Sequence, residues 1–234
     1  MAVKRRAIST VLKGVTFEQR SVGILRDHLS MSLRRVGGKG DGGIDLQGWW
    51  WLPSHCLAHA RSHDVCKSSQ EAANRTPLRV LGQCKAEEKK IGPRYIREFE
   101  GVVLRHSAYL AANESGGPLT GCLRSIVVGL FVSASPFTKA SHLEVYSSPI
   151  PLALMHLPEP PDPSESSPVP EPDFPGTLVF NPALSGENGL FSAHLEARWE
   201  RSPVSGGGRP GLWSEGQRIE SWIPAVGGDG ESGA

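Results

Sequence analysis

A chain of 234 residues with 25 Lys+Arg against 24 Asp+Glu carries a formal charge of +1, and 38% of it is hydrophobic. That suits one ordinary domain with its own core, plus tails. Its 27 Gly and 19 Pro follow no collagen-like period, so they announce irregular segments and exclude a fibre. The longest apolar run, Ile126 to Val132, excludes a membrane-spanning helix, which needs roughly 20 residues. Cysteines at 56, 66, 84 and 122 are too few for a disulfide scaffold and point to a reducing, intracellular setting.

Charge is unevenly spread. Residues 1–157 hold 21 basic and 12 acidic side chains. Such an excess favours a polyanionic partner such as nucleic acid, although a basic surface also serves solubility. Segment 1–14 carries Lys4, Arg5, Arg6 and Lys13 with no acid before Glu18. This is the composition of a mitochondrial presequence, or of a basic arm that only touches phosphate. Residues 15–200 read as one domain with insertions at 53–77 and 158–175. The second insertion, with eight prolines and five acids but no Lys or Arg, is an extended linker. The tail 201–234, with Gly206, Gly207 and Gly208 in a row, reads as disordered.

In chain order, Phe17, Val22, Ile24, Leu25, Leu29 and Leu33 predict a first helix over 16–34, stopped by Gly37 and Gly38. Strands are expected over 44–52 and 78–85 on either side of the first insertion. Pro93 opens a helix whose stripe of Tyr95, Ile96, Phe99, Val102, Val103 and Tyr109 runs to about Ala112. The run SIVVGLFVS over 125–133 has the pattern of a strand buried on both faces. A short helix over 138–146 and a strand over 151–157 follow, and 176–180 and 190–199 each offer an edge strand or helix. The order describes an α/β sandwich with a central mixed sheet flanked by helices.

The chemistry falls where the first helix hands over to the strands. In GDGGIDLQG, Gly40 to Gly48, small residues around Asp41 make a tight turn that delivers Asp45 to the start of a strand. The next strand closes with Gln83, Cys84 and Lys85. Alternation puts Gln83 and Lys85 on one face and sends Cys84 into the core. If the two strands are neighbours, a carboxylate, an amide oxygen and an ammonium converge. That donor set suits Mg²⁺, which takes one or two protein oxygens and otherwise keeps waters and substrate phosphates. The lysine would orient or deprotonate the attacking water and offset charge on phosphorus. An Asp in such a turn also serves backbone N–H groups, and Lys85, Lys89, Lys90, Arg94 and Arg97 would equally make a solvated face. Following the site as closely as they do, Lys89, Lys90, Arg94 and Arg97 read as contacts to a phosphate backbone, which position nucleic acid without reading its sequence.

The segments GGKGDGGIDLQGWW and QCKAEEKKIGPRYIREFEG, with the helix bearing Glu18, resemble the Mrr-like branch of the PD-(D/E)XK, restriction-endonuclease-like fold. Within it they are most similar to the fungal "required for respiratory growth" mitochondrial family. The resemblance covers about Val15 to Leu157 and resumes near Thr177 to Trp199 with the NPAL stretch, leaving the prolines between as an insertion in one domain. It implies a mitochondrial protein and a Mg²⁺- or Mn²⁺-dependent nuclease acting on DNA in preference to RNA. Asp45 would be the metal-binding carboxylate, Gln83 a second ligand, Lys85 the catalytic lysine, and Glu18 an acid reaching the metal or its waters from the side. A homodimer is compatible, because related nucleases pair to cut both strands. Gln83 replaces an acid and removes one charge, and the fold includes members without catalysis. The resemblance therefore also admits an inactive nucleic-acid-binding mitochondrial factor.

Two features stand outside that pattern. Cys56, His59, His63 and Cys66 are spaced so that one helix face would present all four to Zn²⁺, but the order matches no familiar signature and a variable loop is the commoner reading. Trp49, Trp50 and Trp51 in succession suggest two rings packed on the core and a third available to stack on a base, or a covered hydrophobic edge.

Overall fold

The first helix shows how the architecture grows from spacing. In α1 (Thr10–Leu29) the buried residues Phe17, Ser21, Leu25 and Leu29 recur every four positions, giving a single stripe to bury. The helix then stops, earlier than its apolar pattern predicts. Ser30 takes φ 58°, and the chain runs straight into strand β1 (Met31–Arg35). Leu29 and Leu33 are spaced like a continuing helix, whereas Met31 and Leu33 are buried together at the two-residue period of a strand. That ambiguity is why the expected helix over 16–34 splits into α1 and β1. The computed structural model of the chain describes residues 10–37, 42–57, 75–113, 126–159, 176–201 and 208–225.

Strand β2 (Leu46–Pro53) pairs antiparallel with β1 and with β3 (Arg75–Lys85). The pairing Pro53↔Arg75 carries the ladder beyond the expected strand ends, so the ladder takes up both ends of the insertion expected at 53–77. From β3, helix α2 (Pro93–Asn113) leads to β4 (Val127–Ser133), and α3 (Lys139–Ser147) leads to β5 (Leu152–His156). Parallel pairing of β3, β4 and β5 makes these two βαβ units, which place both helices on one face of the sheet. The short strand β6 (Thr177–Phe180) then adds antiparallel to β5. Six strands in the order β1-β2-β3-β4-β5-β6 thus form one mixed sheet.

The sheet separates two apolar layers. On the α1 side, Leu25, Leu29, Trp50, Val80, Leu130 and Met155 pack together, with the Trp50 ring 5.4 Å from Phe191 and 5.7 Å from Phe180. On the α2 and α3 side, Leu81, Ile96, Phe99, Val103, Phe131 and Leu154 do the same. Every residue of β4 is buried, as expected of a central parallel strand. At the sheet's far end α4 (Pro182–Ser185) is capped by Asn181, whose side-chain oxygen accepts the Leu184 N–H.

Residues 208–225, within the tail expected to be disordered, are ordered. Strands β7 (Glu196–Arg201), β8 (Gly208–Ser214) and β9 (Gln217–Ile219) form a second, antiparallel sheet. Leu212 is buried in the main core. Glu200 binds Arg209 at 3.0 Å and Arg218 at 2.7 Å across that sheet. Further on, Ser221 Oγ accepts the Ser30 N–H at 2.8 Å, and the Trp222 N–H donates to Ser30 Oγ at 3.1 Å. The tail therefore latches onto the turn that ends α1. At the start of the linker, Arg20 donates to the Pro158 carbonyl at 2.7 Å and Lys13 pairs with Glu159 at 3.0 Å. The rest of that linker lies outside the described residues, as do residues 1–9 of the segment 1–14 read as a presequence, whose last five residues open α1.

Candidate active site

The glycine turn does what its composition suggests. Gly42 and Gly43 take φ +66° and +88°, a region that side chains with a Cβ rarely enter. The turn's neighbours lie at ordinary contact distance. A Cβ on Gly43 would stand 3.4 Å from Val102 of α2 and 3.7 Å from the Gln83 amide nitrogen, and one on Gly42 would meet the Arg105 guanidinium at 3.5 Å. The turn is thereby held between α2 and the end of β3.

Asp45 leaves this turn tied to β3 at two points. Its N–H donates to the Gly82 carbonyl at 2.9 Å, and its carboxylate Oδ2 accepts the Cys84 N–H at 2.7 Å. Its own carbonyl accepts from Val36 and Gly37 N–H groups, at 2.9 and 3.3 Å, which fastens the end of β1 to the same spot. Asp45 thus serves backbone N–H groups and stands beside Gln83 at once; the two sequence-based readings are compatible.

Gln83 and Lys85 lie on the α2 face of β3, with Leu81 of the α2-side core two residues before them. The Lys85 ammonium stands over the Tyr95 ring at 5.5 Å, and Tyr95 donates its hydroxyl to Glu87 at 3.0 Å. Cys84 faces the opposite, α1-side core. Burial pushes its thiol well up, and the nearby Asp45 and Glu18 carboxylates push it further in the same direction. That shared influence places Glu18 on the α1 flank of the same strand end. Glu18 does not stand alone there: Arg35 holds its Oε2 with two nitrogens, each at 2.7 Å, and the Glu18 side chain is 15% exposed. Arg35, at the end of β1, was not visible as part of the site because the sequence reads that stretch as helix.

The basic run divides. Lys89 and Lys90 are exposed on the loop before α2. Arg94 pairs with Glu98 along the helix at 2.7 Å, and Arg97 with Glu144 of α3 at 2.8 Å. Both pairs are largely exposed, where ion pairs contribute little and exchange readily with other anions. Of the Cys/His group for which zinc is the less favoured reading, only Cys56, which is buried, is among the described residues; His59, His63 and Cys66 lie outside them.

Among the described residues no three His, Cys, Asp or Glu side chains stand together as a metal cage. Asp45 precedes β2 and Gln83 lies near the end of the neighbouring β3, and a carboxylate with an amide oxygen is a donor pair that would meet the smaller demand of Mg²⁺. Among the described residues no helix is long and apolar enough to cross a membrane.

A six-stranded mixed sheet with helices on both faces, and a Gly-Gly turn leading Asp45 to the end of the strand that carries Gln83 and Lys85, define a mixed α/β protein with its candidate site at the strand ends. The chain belongs to the family "Required for respiratory growth protein 7", whose sequence pattern matches residues 9–169. It is 31% identical over 114 residues to the Zygosaccharomyces rouxii member and 32% over 118 residues to the Saccharomyces cerevisiae member, covering 40% and 41% of this chain and 47% and 49% of theirs. An uncharacterized mitochondrial protein of Schizosaccharomyces pombe is 34% identical over 93 residues, 40% of this chain and 30% of its own. The chain thus spans less than half the length of each of these relatives. All three are named mitochondrial, and the mitochondrial localisation expected from the sequence stands. Among solved structures, the MspJI restriction endonuclease in complex with a 27-mer oligonucleotide aligns with 66% of this chain and 32% of its own at TM-score 0.30 and 14% identity, too loose a likeness to carry chemistry.

Proposed function

We propose that this protein is a divalent-metal-dependent nuclease that hydrolyses phosphodiester bonds, with DNA as the favoured substrate, in support of mitochondrial DNA maintenance and respiratory growth. The observation that carries the proposal is the strapping of Asp45 across the end of β3. Its carboxylate is oriented by the Cys84 N–H at 2.7 Å, beside Gln83 and two residues from Lys85. Asp45 and Gln83 would hold Mg²⁺ or Mn²⁺ between them, with Glu18 reaching its water shell if Arg35 releases it. When bound, such an ion supplies Lewis-acid polarisation of the phosphate and acidifies a water. Lys85 contributes a positive charge to the phosphoryl oxygens as charge gathers on them, and a proton acceptor or donor for the water. Lys89, Lys90, Arg94 and Arg97 lie on the loop and first turns that follow and bind the backbone phosphates; the Arg97–Glu144 and Arg94–Glu98 pairs exchange for phosphate on binding. Pairing of two copies would let both strands of a duplex be cut.

A second reading, a nucleic-acid-binding factor with little or no turnover, is favoured by one specific observation. Glu18 is clasped by Arg35, which leaves the site with less negative charge than three strand and helix acids would give. The experiment that separates the two is cleavage of labelled linear, branched and single-stranded DNA with Mg²⁺ or Mn²⁺. Asp45→Asn and Lys85→Ala run alongside, with binding read in the same tubes. A nuclease loses at least ~10²-fold in rate in both variants and keeps its binding. Binding without cutting on any substrate establishes the second reading.

A further inference from the structure

The edge of the sheet beside α1 holds a cleft of about 430 Å³, bounded by Arg26 of α1, Arg34 of β1, Trp49 of β2 and Arg79 of β3. That volume is in the range of small-molecule sites and close to what one nucleotide fills. Three arginines line it and no Asp or Glu among the described residues does, although Arg26 is paired with the neighbouring Asp27 at 2.8 Å. The register explains the grouping. Ser32, Trp49 and Arg79 lie in one row across β1, β2 and β3, and Arg34 and Gln47 in the next. Directly opposed residues share a face. The Arg79 guanidinium lies 4.8 Å from the centre of the Trp49 ring, and Arg34 is exposed. Rigid planes of this kind, interleaved with cationic groups, are what single-stranded nucleic acid uses: bases stack on aromatic or guanidinium planes while phosphates pair with arginine.

The cleft has a fixed place relative to the candidate site. Arg79, Leu81 and Gln83 alternate on the same face of β3. The Trp49–Arg79 stack therefore lies four residues from Gln83, about 13 Å along the strand. Between them Leu81 of β3 is buried beneath α2, so the cleft and the candidate catalytic residues are two separate openings at one edge of the sheet.

We propose that this cleft is a single-strand binding site: an unpaired base stacks against Trp49 and Arg79, and Arg34 and Arg26 take the flanking phosphates. The proposal rests on the nucleic-acid reading above and adds to it the form of the substrate. Both DNA and RNA single strands offer the required chemistry, whereas a continuous duplex keeps its bases stacked inside.

The test is fluorescence anisotropy on the full chain in chelator, so that cleavage plays no part. The probes are labelled oligothymidylate, oligouridylate and a mixed-sequence duplex of equal length. The expected result is tighter binding of one or both single strands than of the duplex. Trp49→Leu should weaken single-strand binding roughly 10-fold and barely alter duplex binding. Arg34→Glu changes an exposed residue and spares the fold; it should lower the slope of log affinity against log salt by about 0.7 or more on single strands. Duplex preferred over both single strands, or both variants binding single strands like the parent, overturns the cleft's role and leaves the nuclease reading standing. Conversely, variants that weaken single-strand binding in a protein that cuts nothing with Mg²⁺ would support the cleft and overturn the nuclease. No binding of any strand in chelator overturns the cleft's role, and cleavage with Mg²⁺ then decides the nuclease on its own.

Discussion

Asn181, in the NPAL stretch, is 1% exposed and should be the most costly single polar residue to remove. Its side-chain oxygen accepts the Leu152 N–H at 2.9 Å and the Leu184 N–H at 3.1 Å. Its amide nitrogen faces the carbonyls of Val145 at 3.2 Å, Ser148 at 3.2 Å and Ile150 at 2.7 Å. One side chain therefore joins the end of α3, the loop to β5, β5 itself and the start of α4. Asn181→Ala removes all five bonds and leaves buried backbone groups without partners. At about 1 kcal/mol net per bond, with the sharing of one group among three acceptors counted against simple addition, the loss is roughly 4 kcal/mol. That is a large share of the 5–15 kcal/mol typical of a domain. Urea unfolding of the parent and variant, compared at equal slope, reads it directly. Asn181→Asp sharpens the argument, because it keeps both acceptor roles but turns a charge toward three carbonyl oxygens. Its carboxyl would be raised in the fold above the unfolded value of about 3.9. The neutral form is thus favoured by folding, and the variant is least destabilised in acid and loses stability as pH rises through that range. A destabilisation below about 1 kcal/mol for Asn181→Ala, or an Asn181→Asp penalty that does not grow with pH, would refute the accounting.

Gly48 sits where β1 crosses closest to β2. A Cβ there would stand 2.1 Å from the Ser32 carbonyl oxygen and 2.9 Å from the Leu33 Cα, both backbone atoms that cannot turn aside. Gly48→Ala should cost about 2 kcal/mol and lower the melting temperature by roughly 4–8 °C in a thermal melt; an unchanged melt would show that β1 yields freely. Cys84, whose thiol is held up by burial and by Asp45 and Glu18, should stay unreactive to iodoacetamide at neutral pH in the native protein. With its folded value above the unfolded one of about 8.5, the stability it confers is full below that pH and falls as pH rises beyond it. The check is Cys84→Ser, whose alkaline stability profile should flatten relative to the parent.

How much of this was legible in the sequence depended on whether a segment's pattern was unambiguous. The β-branched run that became β4, the Pro93 start of α2 and the Gly-Gly turn each have one physical reading, and they fall where expected. Strand β1 was hidden because Leu29 and Leu33 prolong a helical stripe, and because the break is a single non-glycine residue, Ser30, at φ 58°. Losing β1 also hid Arg35, and with it the clasp on Glu18. The tail misled for a different reason. Glycines that mark flexibility in isolation here make room for large neighbours: the space that a Cβ on Gly176 or Gly208 would need is filled by the Trp199 indole. Composition records the missing side chain and not what takes its place. The Trp triple divides in three: Trp50 is core, Trp51 donates its indole N–H to Ser32 at 2.8 Å, and Trp49 lies under Arg79. Only the register with β1 and β3 separates those roles.

The site residues also bear on the order in which ligands would assemble. Gln83 brings an oxygen without a charge, and the charge of Glu18 is matched by Arg35. At these three positions a divalent cation therefore meets close to one net negative unit, carried by Asp45. Mg²⁺ gives up its waters reluctantly and binds such sites through one or two protein oxygens together with substrate phosphates. On the proposed reading, then, the phosphate supplies charge that the protein does not. Cation and nucleic acid each raise the other's affinity by the same factor, because linkage between two bound ligands is reciprocal. On the same proposed reading the three arginines of the edge cleft would act on phosphate with no cation present. A site with three uncompensated acids would repel an incoming phosphate until metal had neutralised it. On the proposed reading this one, with one acid replaced by Gln83 and Glu18 clasped by Arg35, would admit nucleic acid before the metal and hold it whether or not cutting follows.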